Sequence, residues 1–266
     1  MELIKKLRER TGAGMVDCQK ALKEANNDLD VAVEILRKKG ITKAAKRGDR
    51  ETNEGVIKLM VNEEATEGYM LELNSETDFV SRNEKFQEMA DLILTVIKDN
   101  KPSNLEELAA TEINGLSVKE TLDNLSGTIG EKMVLKNFAI SSAATVAAYS
   151  HLGGKIGVLI ALDQSDKKDL AYDIAMHIAA ASPRYIYPSE VKAEDLEKEK
   201  EIYKEQLLKE GKPEAMIDKI VEGKMGKYYS EVCLLEQEYI KDDKKKVKDI
   251  LGDVKVLEFI RFTLSN

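Results

Sequence analysis

Residues 55–73, GVIKLMVNEEATEGYMLEL, decide the architecture. Two runs rich in β-branched and long apolar side chains, 55–61 and 68–73, flank the polar segment NEEATE. That pattern reads as two strands joined by a turn. The period then changes to that of a helix: Phe86, Met89, Ile93, Leu94 and Ile97 fall on one face of a segment that ends at Lys101-Pro102. Ser81-Arg82-Asn83-Glu84 in front of it has the form of a capping box.

The same order of elements recurs. Residues 138–149 and 155–162 read as strands, and 167–181, KKDLAYDIAMHIAAA, reads as a helix. Strand–strand–helix at 55–98 and again at 138–181 predicts a duplicated core. A Leu-rich helical segment over roughly 103–135 separates the copies. The runs EVCLLEQEYI from 231 and VKVLEFIRFTL from 254 are expected to complete the second sheet.

Outside the core, residues 1–39 read as three short helices. Leu3, Ile4 and Leu7 line the first, which stops at Thr11-Gly12; Cys18, Ala21, Leu22 and Ala25 line the second; Leu29, Ala32, Val33 and Leu36 line the third, which stops at Gly40. Asn26, Asn27 and Asp28 supply the cap between them. So small a bundle buries little apolar surface and should lean on a partner or on the next domain. Residues 189–230 are highly charged and break at Gly211-Lys212-Pro213. They predict an antiparallel hairpin of two helices of roughly 18 residues, projecting on the order of 27 Å. Leu196, Tyr203, Leu207 and Leu208 line one helix, and Ile217, Ile220, Val221, Met225 and Tyr228 the other. Gly223 and Gly226 weaken the second helix. The hairpin either covers the core or docks elsewhere, on a partner or on a second copy. The fold class is therefore α+β: a small three-helix N-terminal domain with a basic linker (1–51), a duplicated strand-strand-helix core (52–137, then 138–188 with 231–266), and an inserted antiparallel helical hairpin (189–230).

Composition narrows the function classes. The chain has 266 residues, 34% charged and 42% hydrophobic, with a net charge of −8. No apolar run approaches the roughly 20 residues of a membrane span, and MELIKKLRER lacks the apolar core of a secretory signal. A cytoplasmic location is expected. An acidic chain is a poor general binder of nucleic acid. The exception is KKGITKAAKRGDR, residues 38–50, which reads as a solvated linker or as a contact with RNA or an acidic partner. Cys18 and Cys233 are far apart and belong to no metal motif, and with only His151 and His177 a zinc site is not expected.

No phosphate loop, dinucleotide fingerprint, HExxH or GxSxG occurs; Gly153-Gly154-Lys155 lacks the rest of a phosphate-binding loop. His177 reads as a core histidine, and His151, before a glycine pair, as an exposed turn residue suited to contact. Neither a catalytic residue nor a cofactor is expected. Phe79 has two readings. It folds under the helix and joins the sheet, as most aromatics do, or it is an exposed wedge beside Asp78 that anchors an interface and disturbs phosphates or Mg²⁺ in what it enters.

The stretches LRERTGAGMVDCQKAL (7–22), TDFVSRNEKF (77–86), YSHLGGKIGVLIAL (149–162) and DIAMHIAAASPRYI (173–186) together resemble the elongation factor Ts family, in the family's order and over nearly the whole chain. The resemblance implies a first domain of the ubiquitin-associated type. It implies a guanine-nucleotide exchange factor for elongation factor Tu that displaces Mg²⁺ and promotes GDP release during translation elongation. On it, the turn Thr77, Asp78, Phe79, Val80 is the working part, with Asp78 and Phe79 entering the GTP-binding domain. Arg8, Met15 and Val16 contact a helix of the same domain, and His151 contacts another domain of the partner. Two departures stand out. Gln19-Lys20 replaces the family's frequent Lys pair, and FIRFTLSN at Asn266 lacks the further C-terminal helix of some members, so that helix's contacts are not carried over. Two other readings compete: an enzyme with a carboxylate site between the two core halves, and a chaperone-like module using the N-terminal bundle alone.

Overall fold

The two strand runs pair as expected. β1 (Glu54–Val61) and β2 (Glu67–Ser75) are antiparallel, with Leu59 opposite Met70 and Ile57 opposite Glu72. The computed structural model describes residues 1–264 apart from 12 and 46, with backbone alone for 41 and 43–45. The stop expected at Gly12, Lys46 of the basic run and the last two residues, 265 and 266, lie outside the described residues.

Three helices precede β1: α1 (Glu2–Thr11), α2 (Met15–Glu24) and α3 (Leu29–Ala45). Leu7, Cys18, Ala21, Leu22 and Ala32 close their small core, while Leu3 stays partly exposed outside it. Asp28 caps α3, its Oδ1 accepting from the amides of Asp30 and Val31. The helix does not stop at Gly40. A glycine ends a helix when it turns to positive φ; Gly40 instead stays helical where it meets Gly127 of another helix. The basic run is accordingly helical up to Ala45.

After β2 the chain makes one turn, α4 (Asp78–Ser81), and enters α5 (Glu84–Asn100). The capping box expected at 81–84 does not form. Ser81 is buried and its hydroxyl donates to the carbonyl of Asp78, while Asn83 caps α5 by accepting from the Lys85 amide at 3.0 Å. The segment expected to be helical over 103–135 is interrupted. It holds α6 (Leu105–Ala110), the ribbon β3 (Glu112–Ile113) with β4 (Leu116–Ser117), and α7 (Val118–Ile129), the helix that carries Gly127. A capping box does exist there: Ser117 accepts from the Glu120 amide and Glu120 from the Ser117 amide.

Residues 138–149, read as one strand, are two. β5 (Met133–Ser142) pairs with β2, and β6 (Thr145–His151) pairs with β7 (Ile156–Leu162). The run AISSAATVAAY contains neither Gly nor Pro, so nothing in it marks the point where the chain changes sheets. Tertiary bonds mark it instead: Ala143 donates to Thr66 and Val146 to Ala65. α8 (Lys168–Ala181) follows, then the hairpin α9 (Ala193–Lys209) and α10 (Glu214–Val232). Leu207, Ile217, Val221, Met225, Tyr228 and Val232 bury between its helices, but Leu208 is 51% exposed. The run from 231 is not a sheet strand. It finishes α10, makes a 3-10 turn at Leu234–Glu236 and forms the small ribbon β8 (Glu238–Tyr239) with β9 (Asp242–Lys246). After α11 (Val247–Leu251), only β10 (Val256–Thr263) joins the second sheet.

The two sheets, β1-β2-β5 and β6-β7-β10, have one topology: an antiparallel hairpin whose second strand takes the centre, a helix, an excursion, and a third strand beside the centre. Alternation along the central strands builds four layers. Tyr69, Leu71 and Leu73 face Phe86, Ile93 and Ile97 of α5; Val158, Ile160 and Leu162 face Ile174 and Ile178 of α8. The opposite faces meet through Ile57, Met70 and Leu159. Glycine lets them close: a Cβ at Gly157 would stand 2.4 Å from Ile57 Cγ2 and 3.0 Å from the sulfur of Met70.

Candidate functional site

The Phe79 turn grows out of the end of β2. Ser75 Oγ donates to the carbonyl of Thr77, and the amides of Ser81, Arg82 and Asn83 close the turn on Thr77, Asp78 and Val80. Adjacent residues in a helical turn point about 100° apart. Val80 is buried in the first core, and Phe79 is thereby turned outward with 84% of its surface exposed. Phe79 is therefore not folded under the helix against the sheet. Burying such a side chain in the core would be worth roughly 1.5–3 kcal/mol, a contribution the fold forgoes here. Asp78 pairs with Arg82 at 3.1 Å on the surface, a geometry that stabilises little.

The base of the turn is gripped from outside. Glu131, just past α7, takes the Thr77 amide on Oε2 at 3.0 Å and the Thr77 hydroxyl on Oε1 at 2.7 Å. Glu76 accepts from the Lys132 amide and from Arg50 Nη1, which stands 3.1 Å from each of its oxygens. Burial works against its charge, but these donors outweigh it and hold the Glu76 carboxyl below the usual range. No local sequence signal pointed to Glu131 or Lys132, because both lie more than fifty residues from what they hold.

The other expected site residues lie on separate elements. Arg8 is exposed on α1, and Met15 and Val16, at 60% and 62% exposure, open α2. His151 is exposed at the end of β6 rather than in the turn itself. Its Nδ1 lies 3.0 Å from the Tyr149 hydroxyl and the two rings stack at 5.8 Å; Tyr172 of α8 meets Tyr149 edge-on at 5.5 Å. Exposed Leu152 follows at φ 51°. Tyr149 and Tyr172 went unremarked in the sequence, although Tyr149 and His151 are two apart and must share a strand face. Among the described residues no hydrogen bond, ion pair or ring contact joins any two of the three surfaces.

The remaining reactive side chains are packed away. His177 is buried, with Nε2 2.9 Å from Gln237 Oε1 and Nδ1 accepting from the Ile240 amide; burial lowers its pKa. Both thiols are buried, and burial pushes Cys233 up to about 11. Among the described residues no three His, Cys, Asp or Glu are placed to hold a metal, and no helix is long and apolar enough to cross a membrane. Between the two core halves, where a carboxylate site was the competing reading, lie Ile57, Met70, Leu159 and Leu264, with the buried Glu72 on the strand face of Met70, accepting from Asn137 at 2.9 Å, and Glu258 accepting from Ser141 across the two sheets at 3.0 Å. A cavity of about 320 Å³ lies instead between the N-terminal bundle and α7, lined by Arg10, Asp17, Glu34, Arg37, Asn124 and Thr128 among others.

Comparison with known proteins adds to this geometry. The family model described as Elongation factor TS matches residues 76–266. A protein of a Nitratiruptor species called Elongation factor Ts is 45% identical over 278 aligned residues, which cover 98% of this chain and 91% of the relative.

Proposed function

The chain belongs to the elongation factor Ts family of translation elongation factors, and from that premise we propose that it binds elongation factor Tu carrying GDP, displaces Mg²⁺ from the nucleotide site and promotes GDP release. The observation that carries this reading is Phe79: a large ring, 84% exposed, on a turn held by Val80 in the core and Glu131 on Thr77. An aromatic presented rigidly loses little entropy on docking, and such residues dominate interfaces. Asp78 beside it brings a carboxylate toward the phosphates and their Mg²⁺. Val80 supports the turn from the core, and Thr77 ties it down. Arg8, Met15 and Val16 offer a second contact surface, and His151 a third.

Exchange is a matter of coupling. If the factor weakens GDP binding by some ratio, GDP weakens binding of the factor by the same ratio, and each 1.4 kcal/mol of coupling is tenfold. This action requires no nucleophile, no general base and no cofactor of the factor's own, so the protein is not an enzyme on this reading. Its place is the cytoplasm, with elongation factor Tu as partner.

The test is release of fluorescent GDP from elongation factor Tu in stopped flow, with and without the protein. Acceleration by wild type that Phe79→Ala loses is the expected result. Folded wild-type protein that leaves the release rate unchanged would overturn the reading.

A further inference from the structure

The exposed turn and the N-terminal bundle are far apart in the chain, yet two consecutive residues tie the turn to the segment that follows the bundle. Glu131 follows Gly130, which ends α7 at φ 98°. Its carboxylate takes the amide and hydroxyl of Thr77, while its carbonyl accepts from Ser126 Oγ at 2.6 Å. The carbonyl of Ser126 in turn accepts from Arg47 Nη1 at 2.9 Å. Lys132 works on the neighbouring residue and the same linker. Its amide donates to Glu76, and its Nζ donates to the carbonyls of Gly48 and Arg50 at 2.6 and 2.8 Å. Arg50 then returns to Glu76.

Two parallel chains of bonds therefore run from segment 47–50 to residues 76 and 77, and both pass through 131–132. Every link to a side-chain carboxylate or ammonium is charge-assisted, the stronger class of hydrogen bond. Segment 47–50 lies beyond α3 in the chain, and α3 lies on α7 through the Arg37–Glu120 ion pair and a glycine crossing where a Cβ at Gly127 would stand 2.7 Å from Gly40 Cα. A four-residue helical turn does not hold itself together. Val80 in the core holds the turn from below, and the bond set holds it from the side of segment 47–50.

Resting on the exchange reading above, we propose that Glu131 and Lys132 are positioning residues for exchange. They hold the Phe79 turn and the Met15-Val16 surface at one fixed separation, so that a single partner engages both. Linked contacts reinforce each other only when their spacing matches the partner, and holding the turn beforehand lowers the cost of docking. The two residues divide the work. Glu131 acts on the turn, and Lys132 acts on the linker that places the bundle.

The experiment is GDP release from elongation factor Tu at increasing concentrations of full-length factor, which separates the maximal release rate from the half-saturating concentration. Glu131→Ala and Thr77→Val are each expected to lower the maximal rate by about tenfold, the size of one charge-assisted bond, with the half-saturating concentration little changed. The double variant is expected to be no worse than Glu131→Ala alone, which already removes the hydroxyl bond lost in Thr77→Val as well as the amide bond. Glu131→Gln, which keeps an acceptor for the Thr77 hydroxyl, should recover part of the rate. Lys132→Ala should raise the half-saturating concentration several-fold and leave the maximal rate near wild type. Melting temperatures are measured on every variant. Active wild type with unchanged variants overturns the positioning role alone. So do losses that multiply in the double variant or that follow melting temperature without rescue by Glu131→Gln. Inactive wild type overturns both this inference and the exchange reading.

Discussion

The two halves of the core share one topology and differ in how the chain leaves the central strand. After β2 it makes the 77–81 turn, with Phe79 in solvent, before α5 begins. After β7 it passes through residues 163–167, without an aromatic residue, into α8. The second half puts its exposed rings elsewhere, in the cluster of Tyr149, His151 and Tyr172 at the end of β6 and on α8. The excursions before the third strand also differ: α6 and α7, carrying the N-terminal bundle, in the first half, and the hairpin α9–α10 in the second. The two halves share the layers that bury apolar surface and differ in the connections, which are free of that demand and carry the candidate contacts.

That contrast between scaffold and connection can be broken by substitution. The largest effect is expected within the scaffold. Phe86, wholly buried under the first sheet, should cost about 3–5 kcal/mol as Phe86→Ala, read as a fall in the denaturation midpoint. Phe79→Ala, seven positions away, should leave the midpoint in place and reduce GDP release by at least about thirtyfold, the consequence of losing an interface anchor of about 2 kcal/mol. If Phe79→Ala melts like Phe86→Ala, the division fails. Next, Gly157→Ala should destabilise by about 1–3 kcal/mol, since its methyl meets Ile57 and Met70 where the sheets close. Ser117→Ala, which removes the cap of α7, should cost about 1 kcal/mol, against less for Ser81→Ala, whose hydroxyl caps nothing.

The smallest effect concerns pH. The Glu76 carboxyl is held below its ordinary value, so the folded state binds its proton less readily than the unfolded chain does. Its stabilisation is complete above the unfolded value of about 4.3, declines as pH falls below that, and is gone once pH passes through the lower folded value. Thermal midpoints of wild type and Glu76→Gln should differ at neutral pH and converge in acid. A difference that persists or widens in acid would show that Glu76 is not held this way.

Much of this was legible in the chain itself. Apolar runs flanking a polar segment located β1 and β2, and helical patterning located α5 and α8, because apolar residues on the wrong face of a helix would be left in water. The bend at Gly211-Lys212-Pro213 located the hairpin. Errors came where local signals competed. Residues 81–84 have the composition of a capping box, but burial of Ser81 leaves capping to Asn83. Gly40 carries a stop signal, but its packing against Gly127 keeps it helical. EVCLLEQEYI has apolar residues enough for a strand, yet Val232 ends a helix and Leu234 begins a 3-10 turn under the second core.

The sequence by itself determined the layers, the repeat and the motifs that mark the family, because these depend on spacing along the chain, which burial reads directly. Tertiary structure alone decided which sheet takes residues 133–142, whether Phe79 faces core or solvent, and that Glu131 and Lys132 hold its turn. Each of these depends on groups distant in the chain meeting in space. A hydrogen bond from Thr77 to Glu131 spans 54 residues and leaves no periodic trace in either segment.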